Sequence, residues 1–519
     1  MTHAITTLTS GLRRPAAGRR QPTGFGTEAV GLVLTLLVGW PFFGIPNRVL
    51  AASVVGTGTP DSCTETALDE AAGGGGLVTF NCGGPATITV TAQRQVNNSM
   101  TIDGGGAITI SGGNSAGFVT LGRATLTVQN LTFVDLEGIE FGTPVGAFYN
   151  NSGTLAVINC TFSGNSAPII SNNAVTVTTV TTVTNSTFSG NSGGVIYNGG
   201  SLTVTNSTFS GNSGGVVGNG TGSTFTITDS TFSGNSGGAI SSYSGGTTGT
   251  ITRSTFSGNS GGAVGNSGTL AVINSTFSGN TFTSYPHGAG AIGNSGTLAV
   301  INSTFSGNAG SGAFANSIQN TGTLTFTNTI VANTTSGNNC FPQSGTIIDG
   351  GHNIDDGTTC GFSTAKGSLN NTAPDLAGLA NNGGPTQTIA LQADSPAIDA
   401  GDETVCAAAP VNNLDQRGYV RPGVGATSCS IGAYEYDAPA PPTSTPSPTP
   451  TPTMAVPPCT GDCDDDGKVT VTELVKGVNI ALGLLSLDQC PSFNCDGTGE
   501  VTVDCLVKAV NAALNGCSG

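Results

Sequence analysis

Charge is what this chain has least of. Only 8% of its 519 residues are Asp, Glu, Lys or Arg, and 14 basic side chains face 30 acidic ones for a net charge of −16. So few cations leave no footprint for a phosphate backbone or an anionic lipid surface, which excludes nucleic acid and membrane surfaces as partners. Between Phe141 and Cys340 the charged residues reduce to Asp229 and Arg253, expected to have no charged neighbour in sequence or one repeat away. Lyases and hydrolases need carboxylates clustered with each other or with Lys and Arg, so this middle stretch is expected not to run a reaction. Helical periodicity is missing there as well. Glycine is abundant, at 81 residues, but keeps no Gly-X-Y period, which excludes a collagen triple helix.

What fills the middle is a repeat. The Phe of an FSGN core recurs at Phe162, Phe188, Phe209, Phe232, Phe256, Phe277 and Phe305, with looser versions at Phe133 and Ile330, at spacings of 21 to 29 residues. Periods of that size mark solenoids, whose units bury their apolar faces only against each other. Within SLTVTNSTFSGN, Leu202 and Val204 alternate with Thr203 and Thr205, so the unit is strand and turn rather than a helix pair. Thr, Val and Phe favour pleated structure, while Ser-Gly-Asn and Gly-Gly supply corners. The reading is mainly β: a single-stranded right-handed parallel β-helix of nine or so coils, spanning on the order of 45 Å at about 4.8 Å per coil.

Two asparagine columns accompany the Phe. Asn159, Asn185, Asn206, Asn274, Asn302 and Asn328 precede it; Asn165, Asn191, Asn212, Asn235, Asn259, Asn280, Asn308 and Asn333 follow. Stacked amides can bond each other and the next corner's backbone, so these are read as architecture. FSGNSGGAI resembles the paired FxxN and GGA[ILV] repeats of chlamydial polymorphic outer-membrane proteins and, more broadly, bacterial right-handed parallel β-helix proteins. That resemblance spans about 200 residues and implies a fold without implying an activity.

Domain boundaries follow composition. Residues 1–51 hold Arg13, Arg14, Arg19 and Arg20, an apolar run from Ala29 to Ile45 and small residues at Ala51 and Ala52, the pattern of an export signal, with no membrane span left after its cleavage. Residues 52–132 are read as an N-terminal cap and first coils, with an amphipathic piece at Glu65–Ala72 and a bridge between Cys63 and Cys82. The repeats occupy 133–336, with Cys160 a free thiol in the stack. His287 and Tyr285 sit in one long loop and are read as loop residues. Residues 337–436 are C-terminal coils and cap, with bridges expected for Cys340–Cys360 and Cys406–Cys429. The strings at Gly383–Leu391, Ser395–Asp402, Leu414–Pro422 and Ile431–Tyr436 resemble the tail of the bacterial choice-of-anchor β-helix domain, which implies a secreted or surface protein. Asp399, Asp402, Asp415, Arg417, Arg421 and Glu435 are candidates for a catalytic cluster, but turn-forming Asp and buried Asp–Arg pairs are the commoner use in a cap.

After a Pro- and Thr-rich linker at 437–458, which stays extended, residues 459–519 repeat with a period of 32. The first loop places Asp462, Asp464 and Asp466 at positions 1, 3 and 5, Gly467 at 6, the Lys468 carbonyl at 7, Thr470 at 9 and Glu473 at 12, the spacing that wraps oxygens around Ca²⁺. The second aligns Asn494, Asp496, Thr498 and Glu500 with Asp462, Asp464, Asp466 and Lys468, but Cys505 stands where the bidentate acid belongs. Its site is expected to be weaker or absent. A helix should follow each loop, with Leu474, Val475, Val478 and Leu482 matching Leu506, Val507, Val510 and Leu514 on one apolar face. Two such units resemble a type I dockerin, a small α-helical EF-hand-like module. The resemblance implies calcium as cofactor and docking to a cohesin-like partner through positions 10 and 11, here Val471, Thr472, Val503 and Asp504. Six cysteines exceed the usual dockerin number and allow 15 pairings, Cys459–Cys517 among them.

The functional expectation is a monomeric extracellular or cell-surface protein, non-catalytic along its coils and attached through its tail to a partner or surface. The alternatives are a polysaccharide lyase or hydrolase carried by the tail, or an adhesin whose polar coil face binds carbohydrate.

Overall fold

The structure, a computed structural model, describes residues 52–140, 143–173, 179–282, 288–310, 316–439, 459–463, 468–481, 485, 487–495 and 501–515. Residues 1–51, read as an export signal, the linker from 440 to 458 and the loop with Tyr285 and His287 lie outside the described residues.

One coil shows how the sequence turns. Ser201–Thr205 is extended, Asn206 bends the chain at φ 47°, Thr208–Ser210 is extended, Gly211 turns at φ 61°, and Val217–Asn219 closes the coil. Only Gly, Asn and Asp adopt such left-handed backbone readily. The next coil repeats the pattern in register, so Leu202 pairs with Phe225, Phe209 with Phe232 and Asn219 with Ser242, all parallel. The first two strands of each coil build a 24-stranded sheet and the third an 11-stranded one. Eleven strands stacked in that second sheet exceed the nine coils anticipated, because two coils before Phe133, with strands Arg94–Val96 and Val119–Leu121, lack the Phe repeat yet stack in the same way.

The interior is a file of aromatic rings. Phe133, Phe162, Phe188, Phe209, Phe232, Phe256, Phe277 and Phe305 stack nearly parallel, with centroids 4.6–4.9 Å apart. Each buried Phe contributes about 2–3 kcal/mol, and ring pairing adds roughly 1 kcal/mol. In the coil after Phe305 the Phe slot belongs to Val331, paired with it, and not to Ile330, which continues the Thr column.

In the column before the Phe, Asn159 and Asn206 donate to the amides of Asn130 and Asn185 as expected, but Asn274, Asn302 and Asn328 donate to the Leu414 carbonyl, Cys406 Sγ and the Asp402 carbonyl of the returning chain. In the column after the Phe, asparagine lines the corners as expected, with one exception. From Asn165 to Asn308 each amide donates to the next coil's amide oxygen at 2.8–2.9 Å and to a Phe carbonyl. Asn333 does not belong to this ladder. It follows Ala332, which pairs with Ser306, so it takes the place of Gly307, at φ 56°, and points to solvent. A third ladder was not anticipated. Asn150, Asn172, Asn198 and Asn219 bond amide to amide, as do Asn266, Asn294 and Asn320. Between the runs stands Ser242, too short to reach, and the buried Asn219 Nδ2 has no partner.

The ends are shaped differently. At the first coils, helix α1 (Glu65–Ala72) is capped by Thr64 and buries Leu68 and Ala71 against the stack, with the Cys63–Cys82 bridge beside it. Past the last coils the chain does not simply close the open end but doubles back along the shaft. Thr386 and Gln387 reach Arg253 and Thr255, Leu414 and Gln416 reach Asn274 and Thr276, and Gly432 and Ala433 reach Asn328 and Thr304. Thr255, Thr276 and Thr304 are therefore buried, whereas Thr161, Thr187, Thr208 and Thr231 of the same motif are not. Helix α2 (Glu403–Ala407), capped by Asp402, lies in this strap, and the Cys340–Cys360 and Cys406–Cys429 bridges form as expected.

Ser242→Asn should rejoin the third ladder and stabilise the shaft by about 1 kcal/mol, read as a higher urea midpoint; an unchanged or lower midpoint would contradict the ladder's role. Gly249 offers a packing test, since a Cβ there would sit 2.1 Å from the Phe225 ring. Gly249→Leu alone should destabilise by about 1–3 kcal/mol through overpacking, and Phe225→Leu in the same chain should restore most of it, because Leu already fills this slot at Leu202 and Leu270.

Candidate functional site

The strongest chemical signal in the sequence is the tail. Helices α3 (Val471–Ala481) and α4 (Val503–Asn515) follow the two loops. They meet around Val469, Ile480, Phe493 and Ala509. Gly477 lies against Phe493 so closely that a Cβ would be 2.2 Å from the ring. In the first loop Asp462 and Glu473 are both buried. Glu473 is turned back onto the loop: its carboxylate accepts from the Cys463 amide at 2.6 Å, the Thr470 amide at 2.7 Å and the Thr470 hydroxyl at 2.8 Å. Burial pushes its pKa upward, but these donors together outweigh burial and hold it below the usual carboxylate range.

Asp464 and Asp466 lie outside the described residues, as do Asp496, Thr498 and Glu500. The backbone of Lys468 and Thr470 leads directly into α3. An acidic side chain at each end of the loop, both shielded from water, fits a hard cation that takes oxygen ligands.

The second loop is closed by other means. Cys505 is bonded to Cys495, so the position-12 side chain is a half-cystine and offers no oxygen. In the first loop position 12 reaches position 2 through the Glu473–Cys463 hydrogen bond; in the second the same two positions are joined covalently. Cys463 pairs with Cys490, and Cys459 is also disulfide-bonded; the Cys517 proposed as its partner lies outside the described residues.

The helices do not bury the face expected of them. Leu474 and Leu506 pack into the small core, but Val475, Val478, Val507, Val510 and Leu514 face solvent, because the interior side carries Gly477, Ile480, Cys505 and Ala509 instead. Val471 and Val503 are 76% and 77% exposed and Thr472 and Asp504 are exposed too, so all four partner-binding candidates are accessible, Asp504 paired with Lys508. Leu482 lies outside the described residues.

Elsewhere, charged groups meet where the sequence left them apart. Asp229 and Arg253 stand one coil apart in the column otherwise held by Asn206, and they form a two-pronged pair at 2.8 and 2.7 Å. The expectation that neither has a charged neighbour is corrected: coils of 24 residues bring them into register. In the strap, Asp415, Arg417, Arg421 and Glu435 gather and are buried. Arg417 bonds Asp415 at 2.7 Å and lies between Tyr419 and Tyr434. Arg421 donates to the Ser430 and Gly432 carbonyls and faces Glu435 at 3.6 Å. Burial pushes the Glu435 pKa up and that of Arg421 down. Asp402 caps α2, and Asp399 is an exposed turn residue at φ 53°, outside the cluster. Charges sealed this way hold segments together and reach no substrate.

Two further groupings have structural uses. Arg94 is held by Glu65 and Asp69 of α1 beside a cavity of about 330 Å³, tying the cap helix to the first coils. Glu403 stands by Cys406 and Cys429, but those sulfurs are paired to each other, and Glu403 accepts the Cys429 amide. Cys160 is buried and unpaired, its thiol pushed up by burial to about 11, which leaves it inert.

Residues 116–277 and 214–373 match the sequence model of the right-handed β-helix region. Among solved structures, pectate lyase Pel9A aligns at 17% identity over 69% of this chain and 87% of that one, with a TM-score of 0.33, a likeness too distant to carry an argument. No curated protein matches significantly. No helix among the described residues is long and apolar enough to cross a membrane.

Replacing Glu435 by Gln should leave the Arg421 charge buried without its counter-ion. Its expected cost is about 3–5 kcal/mol, seen as early unfolding in urea, whereas Asp399→Asn should shift the midpoint by less than about 0.5 kcal/mol. Equal effects would show that the strap does not depend on the sealed pair.

Proposed function

We propose, on the premise that residues 116–373 form a right-handed parallel β-helix, that this is an exported, non-catalytic scaffold attached to a cohesin-like partner or a cell surface by a calcium-binding tail. The observation that carries the reading is the first tail loop, where Glu473 is buried and folded back against the residue that follows Asp462. Asp462, Asp464, Asp466, the Lys468 carbonyl, Thr470 and Glu473 would hold Ca²⁺. Bound, the ion would supply fixed positive charge that draws the loop together and seats α3, since site formation and folding are coupled. Attachment would use the exposed Val471, Thr472, Val503 and Asp504 with the valine rows behind them, an apolar surface of the kind that marks interaction sites.

The shaft supports the non-catalytic half of the reading. Its carboxylates are engaged by backbone and neighbours: Asp349 accepts from Gly351, Asn353, Ser363 and Ser368, and Asp355 from Gly357, Cys360 and Asn339. Five disulfides among described residues suit an oxidising, extracytoplasmic compartment.

Calorimetric titration with Ca²⁺ should give one dominant binding event, absent in Glu473→Ala. Cys495→Ser with Cys505→Glu should gain a second event, because it restores an acid where the disulfide stood. Two equal events in the unaltered chain would refute the account of the second loop. Incubation with pectin, alginate and xylan should release nothing; unsaturated or reducing ends would replace this reading with that of a lyase or hydrolase delivered by the tail.

A further inference from the structure

The outer face of the 11-stranded sheet holds a feature that neither the stacking nor the tail explains. Along one column, successive coils present Tyr197, Gly218, Ser241, Gly265, Gly293 and Gln319. A shallow groove of about 500 Å³ runs over the later part of it, walled by Tyr243, Ser267, Ser295, Thr321 and Gln343, and none of its lining residues is charged.

Its two ends differ. At one end Tyr243 is 66% exposed, its ring over Gly218; Tyr197, 45% exposed, stands in the same column two coils before the groove begins, its Oη leaning over Gly220. A half-exposed aromatic ring gives up free energy to water that a flat, partly apolar ligand face would recover. At the other end Gln319 and Gln343 bond each other and leave further amide donors and acceptors at the rim.

The floor is bare without a structural reason. Other glycines of the coils are forced: in the strands Gly249 is filled by Phe225 and Gly290 meets the Asn280 and Ala309 carbonyls, and at the corners Gly268, Gly296 and Gly322 each meet a neighbouring carbonyl within about 2.2 Å of a Cβ. Gly265 and Gly293 have ordinary negative-side backbone, and a Cβ there would meet nothing closer than 3.9 Å. Glycine weakens a strand, and where packing does not demand it, it marks close approach from outside.

The geometry points to this groove as the binding site for a neutral polysaccharide lying along the stack. Tyrosine faces would carry sugar rings, and Ser, Thr and Gln recurring once per coil would meet successive hydroxyls. The rise of about 4.8 Å per coil is close to the length of one pyranose unit, so each coil presents its donors to one sugar. Charge selects the class. A uronic-acid polymer asks for cations, and here none line the groove while the chain carries −16, so an anionic glycan is repelled.

The test is affinity electrophoresis of the whole chain in EDTA, so that the tail's calcium state does not enter and failure here leaves the tail reading untouched. Gels would contain xylan, glucomannan, mixed-linkage β-glucan, polygalacturonate or alginate. Retardation is expected with at least one neutral glycan and with neither anionic one. Tyr243→Ala should weaken it roughly tenfold, the loss of one stacked ring. Gly293→Gln, whose Cβ would meet nothing within 4 Å and whose side chain would occupy the groove, should abolish it while leaving the thermal midpoint unchanged. The inference is overturned by no retardation on any neutral glycan, by stronger retardation on polygalacturonate or alginate, or by undiminished binding in a folded Gly293→Gln chain.

Discussion

Each coil buries corners whose backbone amides and carbonyls have lost water, and the stacked asparagine amides are what satisfy them. A hydrogen bond of this kind contributes only about 1 kcal/mol, but an orphaned partner costs about 1–3 kcal/mol. A slip of register along the ladders would therefore orphan many groups at once. Phenylalanine supplies the burial that makes the coil collapse; asparagine decides which coil residue faces which. The division of labour also explains why the repeat runs from 21 to 29 residues without losing order. Only the ladder and strand positions must coincide from coil to coil, and extra residues leave at the turns between them.

The same constraint governs charge. A stack that satisfies itself with neutral amides has little use for ions, and in the repeats Asp229 with Arg253 replaces two asparagines of one column by side chains that answer each other. Larger charge clusters occur where the chain stops coiling. Asp415, Arg417, Arg421 and Glu435 join parts of the strap that have no periodic partner, and buried charges persist only when paired and hydrogen-bonded. In the tail one motif uses both solutions: a carboxylate closes the first loop and a disulfide the second, at equivalent positions.

Much of this was legible from residues. The Phe file and the Asn165–Asn308 ladder follow from the period, and α1, the Cys63–Cys82, Cys340–Cys360 and Cys406–Cys429 bridges and the unpaired Cys160 stand where the sequence led us to expect them. The third ladder was missed although its signal was present, an Asn two residues before the Gly that precedes a long strand, as at Asn198, Asn266 and Asn294. It was hidden because the residues around it vary from coil to coil. The tail helices misled in the opposite direction. Their valines recur at helical spacing, which usually marks a core, but two helices of 11 and 13 residues enclose so little volume that Gly477, Ala509 and Phe493 fill it.

By itself the sequence determined everything that repeats: strand direction, coil stacking, which side chains enter the stack, and the poverty of charge along the shaft. These depend on contacts between a residue and its counterpart one coil away, so they are written as a period. Tertiary structure alone decided how residues 386–436 run back over the Thr255, Thr276 and Thr304 column, and which sheet face is left open as a groove. Those contacts join residues 129 to 162 positions apart, and nothing local announces them, because they depend on the shape of the finished stack.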